Sequence, residues 1–287
     1  MSDTVSVDSH HHLWTLTDTN YPWIRERIDA PGMRELARDF HASEFSEVMQ
    51  THSVARSVLV QGEPTVEETD EMLAIARDNA FIAGVVGWID LEKEDAVTEV
   101  ERRAADPLFK GIRLWLLRNE DPAWILRPSQ SLGLEATAKS GLGVDALLRP
   151  QHIANLSRML EQHPDLRVVL CHGAKPIVEA WSPSGDEFRA WKNGIATLAR
   201  QGCYMKLSGI MTESGHDWEP DDVRPYVEAI LESYGPYRTM WGSDWPVINR
   251  GGGYTKWLDA VREITIGLSS EEKSALFGGT ATEFYRL

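Results

Sequence analysis

Apolar residues fall into short β-branched runs separated by stretches of helical spacing. The runs Val5 to Asp8, Ala55 to Gln61, Ile82 to Ile89, Gly111 to Leu117, Gly143 to Leu148, Arg167 to Cys171, Cys203 to Leu207 and Thr239 to Gly242 predict eight strands. Apolar positions three and four apart recur over Thr65 to Asn79, Lys93 to Ala105, Gln151 to His163, Glu187 to Arg200 and Asp221 to Ser233, the mark of amphipathic helices. Pro150 precedes Gln151, and Pro220-Asp221-Asp222 precedes Val223, where proline and acidic side chains favour a helix start. Strand followed by helix, with strands apolar on both faces, predicts a parallel sheet covered by helices. Eight such units over about 250 residues have the dimensions of a closed barrel. The expected fold is therefore α/β, a (β/α)8 TIM barrel, in one domain over residues 1–287. An open doubly wound sheet would need a glycine-rich turn after its first strand, and Asp8-Ser9-His10-His11-His12 offers none.

Two connections exceed what a barrel needs, Trp14 to Ser53 and Leu117 to Gly141. Loops at the carboxyl ends of barrel strands build the site, so both are expected as lids or substrate walls. Gly251-Gly252-Gly253 is expected as a flexible turn near the last strand.

Charge narrows the partners. Twenty-nine Lys and Arg against 44 Asp and Glu give a formal charge of −15, which repels nucleic-acid phosphates and anionic lipid alike. No apolar run reaches membrane-spanning length and Met1 to Val7 lacks a signal-peptide core, so a cytoplasmic protein is expected, with a homo-oligomer left open. Cys171 and Cys203, both in apolar runs, are expected as reduced, buried, inert thiols. Most of the 11 tryptophans are expected in the core, while rings at strand ends can rim a concave site.

The candidate chemistry sits at strand ends. Alternation along the first strand sends His10 and His12 to one face and His11 to the other. The sixth strand delivers His172 after Cys171, and the eighth delivers Asp244 in Trp241-Gly242-Ser243-Asp244-Trp245-Pro246. A closed barrel brings its first strand beside its eighth, so these side chains converge at one mouth. Three imidazoles and a carboxylate can hold a divalent ion such as zinc or polarise a carbonyl without one, and the carboxylate can take a proton from water. Gly143 to Leu148 supplies Asp145 but no Lys or His at its end, which argues against two metals.

Val7-Asp8-Ser9-His10-His11-His12-Leu13-Trp14, Tyr21-Pro22-Trp23, Gly84 to Leu91, Cys171-His172-Gly173-Ala174-Lys175-Pro176, Lys206-Leu207-Ser208-Gly209, Gly242 to Val247 and Phe277 to Ala281 occur in an order that resembles amidohydrolase-superfamily lactonases. The resembling branch is L-fuconolactonase- and L-rhamnonolactonase-like, related to 2-pyrone-4,6-dicarboxylate lactonase. The resemblance implies a distorted (β/α)8 barrel that opens a small cyclic ester. It implies Asp244 as base for the attacking water and acid for the departing alkoxide, and His172 beside it in catalysis. His10, His12 and Asp244 would hold a single zinc, or the histidines would act without metal. Arg113, Lys206, Trp14 and Trp245 are the implied substrate contacts, although Arg113 and Lys206 could equally serve in ion pairs inside the barrel. The chain departs from the sugar-lactonase pattern with Leu114 and Leu117 on the fourth strand and Cys171 before His172, so reaction class is better marked than substrate. The alternatives are a metal-dependent non-oxidative decarboxylase and a non-catalytic barrel. A carboxylate and imidazoles that must be deprotonated predict a rate rising between weakly acidic and neutral pH.

Overall fold

The computed structural model describes residues 5–119, 121–215 and 217–287. Eight parallel strands pair in chain order: β1 (Val7–His11), β2 (Arg56–Val60), β3 (Ile82–Gly87), β4 (Phe109–Trp115), β5 (Gly143–Leu147), β6 (Arg167–Leu170), β7 (Tyr204–Leu207) and β8 (Thr239–Trp241). One principal helix follows each strand: α1 (Ala42–Thr51), α2 (Val66–Asp78), α3 (Ala96–Ala104), α4 (Ser131–Lys139), α5 (Ile153–Gln162), α6 (Asp186–Arg200), α7 (Pro220–Tyr234) and α8 (Gly253–Ile264). The alternation is that of a (β/α)8 barrel.

β1 and β8 meet at their carboxyl ends. Asp244 N donates to His10 O at 2.8 Å, and His12 N donates to Trp245 O at 2.7 Å. Below them the Asp8 carboxylate accepts from Ser243 N at 2.9 Å and from His10 N at 3.1 Å. This corrects the expected first strand, which stops at Asp8 when judged by apolar character. The strand continues to His11 because Asp8, Ser9, His10 and His11 are all buried in the seam.

Inside the barrel, Val58, Val60, Val86, Val169 and Met240 form the lower apolar layer. A final helix, α9 (Thr280–Tyr285), closes that end by packing Ala281, Phe284 and Tyr285 against the valines. Above it polar groups begin, since Tyr285 Oη donates to Asp145 Oδ1 at 2.7 Å. Apolar contents at one end and ionisable contents at the other confine chemistry to the carboxyl-end mouth.

Both long connections leave from carboxyl ends of strands, the first after β1 and the second after β4. The first contains α1 and is fastened beside β2: Glu68 accepts from Tyr21 Oη at 2.7 Å and from the N–H groups of Gly62 and Glu63, each at 2.8 Å. The second contains α4 and, before it, Trp124. The glycine triplet forms the turn into α8. Gly252 and Gly253 take φ of 90° and 88°, a left-handed corner that only glycine enters cheaply, and this corner starts α8.

Candidate active site

Alternation along β1 places His10 and His12 on the inner face with their Nε2 atoms 3.2 Å apart. His11 turns outward and stacks on Phe45, the ring centroids 4.0 Å apart. His12 Nδ1 lies 2.6 Å from Val60 O, so it carries a proton and leaves a lone pair on Nε2.

His172 reaches the same point by an unusual backbone. His172, Gly173, Ala174 and Lys175 take φ of 57°, 61°, 59° and 48°, a complete left-handed turn. Such a turn costs roughly 1–2 kcal/mol per non-glycine residue. Lys175 N donates to His172 O at 2.8 Å and Trp191 Nε1 donates to Gly173 O at 2.9 Å, which holds it in place. The turn carries the His172 ring to within 4.5 Å of the His10 ring, centroid to centroid. Gly209 makes room, because a Cβ there would stand 2.5 Å from His172 Nδ1. Ser208 Oγ then lies 3.0 Å from that nitrogen.

Asp244 also sits in the left-handed region at φ 62°, where aspartate and asparagine are tolerated best after glycine. Its Oδ1 lies 3.3 Å from His12 Nε2, 3.7 Å from His10 Nε2 and 3.9 Å from His172 Nε2. Four expected residues, one expected mouth: the structure brings them together and leaves Asp244 only 3 % exposed.

The implied substrate contacts divide. Arg113 does point into the mouth: Nη1 donates to Gln61 O at 2.6 Å, and Nη2 lies 3.3 Å from His172 Nε2 and 3.4 Å from His10 Nε2. It forms no ion pair among the described residues. Lys206 is fully buried below His10, with Nζ 2.6 Å from Asp145 Oδ2, 2.8 Å from Ser9 O and 3.1 Å from His10 Nδ1. All three ammonium protons have partners within the protein, which is the ion-pair alternative rather than a substrate contact. Trp14 and Trp245 pack with Phe40 beneath the first long connection, and Trp14 Nε1 donates to Arg38 O at 2.8 Å. Both rings are buried, each only 3 % exposed.

Trp88, Trp115 and Trp124 line a side cavity of about 210 Å³ with Asp90, Asn119 and Arg113, the last of which also reaches the histidines. Trp88 and Trp115 follow from their place at strand ends. Trp124, inside a connection with no periodicity, carries no sequence signal beyond the length of that connection. Lys175 is likewise missed as an actor. It pairs with Glu213 at 2.7 Å, and Arg149 reaches the same carboxylate at 3.4 Å.

Electrostatics follow from burial. Burial pushes His10 and His172 well below the ordinary imidazole value, helped at His10 by Lys206, and burial also lowers His12 against the pull of Asp244. Burial opposes charge on Asp244 too, but His172, His12 and Lys175 outweigh it and bring the carboxyl down to about 2. Asp244 is thus an anion at neutral pH. Burial and the nearby Asp145 push the Cys171 thiol up to about 12, so it stays protonated and inert. The pH expectation shifts accordingly. Because every group lies below its ordinary value, protonation needs more acid, and kcat/KM should stay level through neutral pH and decline only below the ordinary imidazole value of 6.5. A half-maximal rate at or above 6.5, the ordinary imidazole value, would contradict the assignment.

The residues also suit one divalent ion. Tetrahedral zinc with nitrogen and oxygen ligands at about 2.0–2.1 Å sets those atoms roughly 3.3 Å apart. His12 Nε2 and Asp244 Oδ1 have that separation, and a neutral His12 protonated on Nδ1 offers its lone pair there beside the carboxylate oxygen. His10 Nε2, His172 Nε2 and Asp244 Oδ1 also lie within 4.8 Å of one another.

The chain is also similar to known proteins. The chain is 34% identical to an L-fucono-1,5-lactonase of Burkholderia ambifaria over 99% of its own length and 96% of that protein. It is 26% identical to an L-rhamnono-gamma-lactonase of Scheffersomyces stipitis, covering 63% and 60% of the two chains. The crystal structure of a Burkholderia multivorans amidohydrolase with bound zinc superposes with a TM-score of 0.90 at 29% identity, covering 99% of each chain. A family model described as Amidohydrolase matches residues 7–287, and the chain belongs to that family.

Proposed function

We propose that this protein hydrolyses a small lactone, with sugar lactones as the leading substrate class. The observation that carries the proposal is the Asp244 carboxylate, held ionised within 3.3–3.9 Å of three imidazole nitrogens in a strand-end mouth. Asp244 takes a proton from water as its oxygen bonds to the lactone carbonyl carbon. Arg113 Nη2 and the imidazole cluster bind the carbonyl oxygen as it gains charge. When the ring C–O bond breaks, Asp244 returns the proton to the alkoxide, and no other proton source is required. His12, His172, His10 and Asp244 supply the donors for one zinc, which when bound adds Lewis-acid polarisation of the same carbonyl. The three tryptophans of the side cavity offer flat faces to the C–H face of a sugar ring, with Asp90 and Asn119 for its hydroxyls.

The named relatives are lactonases, which favours hydrolysis over decarboxylation. No described helix is long and apolar enough to cross a membrane, and the reading includes a cytoplasmic setting and no nucleic-acid partner. The test is a panel of sugar lactones, muconolactones and pyrone carboxylates, followed by acid release with an indicator. Release of acid without carbon dioxide is expected from at least one sugar lactone. Carbon dioxide from an aromatic acid, with every lactone inert, would reverse the assignment.

A further inference from the structure

We infer that Gln61 is a positioning residue: its main chain holds Arg113 and its side chain holds Trp115, so that the donor to the lactone carbonyl and the wall for the lactone ring stand in fixed register. The purpose rests on the lactonase reading; the geometry does not. Arg113 and Trp115 stand two apart on β4 and share one face of it. The Arg113 Cζ lies 5.5 Å from the centre of the Trp115 ring, and both side chains line the side cavity. Gln61 follows β2, and its N–H donates to Val86 O at 2.9 Å, which carries the ladder one residue past the strand. Its main-chain O accepts from Arg113 Nη1 at 2.6 Å. Its side-chain Oε1 accepts from Trp115 Nε1, and its Nε2 donates to Glu63 O at 3.0 Å. An indole N–H only donates and a carbonyl only accepts, so one orientation of the amide satisfies both. The reverse would set two donors face to face and two acceptors likewise.

Gln61 is 0 % exposed, so it acts through these neighbours and not on the substrate. The segment that carries it is pinned as well. Gly62 and Glu63 donate their N–H groups to Glu68, and Gly62 O accepts from Trp23 Nε1 at 3.2 Å. A lactone has a constrained ring, so the distance from its carbonyl oxygen to its ring face is set before it binds. Arg113 Nη2, beside His172 and His10, serves the oxygen, and Trp115 serves the ring. An indole that turns by one rotamer loses that match even when Arg113 stays where it is. The two bonds from Gln61 are chemically separable. Arg113 uses a main-chain oxygen, present whatever the side chain, whereas the bond to Trp115 needs the amide.

Gln61→Met therefore tests the side chain while sparing the bond to Arg113. KM for the sugar lactone turned over fastest should rise roughly five- to tenfold, the usual effect of one lost hydrogen bond, with kcat within about threefold. In a Trp115→Phe background, which already lacks the indole N–H, adding Gln61→Met should change KM by less than about twofold. Independent, multiplicative effects would show that Gln61 works elsewhere and overturn the inference, as would a fall in kcat with KM unchanged. Proton NMR in D2O reads the bond without any lactone, the Trp115 signal being assigned by its loss in Trp115→Phe. The indole N–H should exchange at least about tenfold faster in Gln61→Met than in the wild type. Equal exchange in the folded variant would also overturn the inference. Should Gln61→Met not fold, the wild-type spectrum decides the matter: an indole N–H that exchanges as fast as that of free tryptophan overturns it, and a slowed one supports it. An inert substrate panel would end the lactonase reading and leave the exchange result standing, so the two failures are distinct.

Discussion

Asp244→Asn should lower kcat by about 10³- to 10⁴-fold, the contribution of a well-placed general base, with little change in KM or melting temperature. The size follows from the electrostatics, since the carboxyl is held ionised in the midst of the three imidazole nitrogens. The fold should survive for a separate reason. Asp244 occupies φ 62°, a conformation asparagine tolerates as well as aspartate, and its backbone N–H bond to His10 O is untouched. Steady-state kinetics beside thermal unfolding checks both halves. Retention of more than about a tenth of the rate would show that another group takes the proton.

Arg113→Met should lower kcat by about 10²- to 10³-fold, the usual loss when one preorganised donor to a developing oxyanion is removed. Arg113 holds Gln61 O with one arm of its fork and places the other between His10 and His172. Arg113→Lys should recover little, because a single ammonium cannot make both contacts from one stem. If the fall appears in KM alone while kcat stands, Arg113 holds the substrate equally in ground and transition states and is no oxyanion donor.

How much of this was legible beforehand depends on what each element relies upon. Barrel strands are buried on both faces, so β-branched runs such as Val168-Val169-Leu170 announce themselves, and α2, α5, α6 and α7 fall within a few residues of their expected bounds. β1 was shortened because burial of a polar run leaves no mark in hydrophobic pattern. His10, His12, His172 and Asp244 were found because strand ends in a barrel share a rim. The contacts of Lys206, Trp14 and Trp245 were not legible, since strand position fixes a residue's height in the barrel but not which partner its side chain meets. Lys206 met Asp145. The left-handed turn from His172 to Lys175 was also hidden: Ala174 and Lys175 have no propensity for it, and only the surrounding packing imposes it.

The join between β1 and β8 ties competence to completeness. The groups that stitch the barrel shut are the backbones of His10, His12 and Asp244 themselves, drawn from segments 235 residues apart at Asp8 and Ser243. No fragment or half-built sheet can therefore present a weakened version of this centre. As heat or denaturant parts the first and last staves, reactivity vanishes with the enclosure, so turnover itself serves as a gauge of whether the ring is whole.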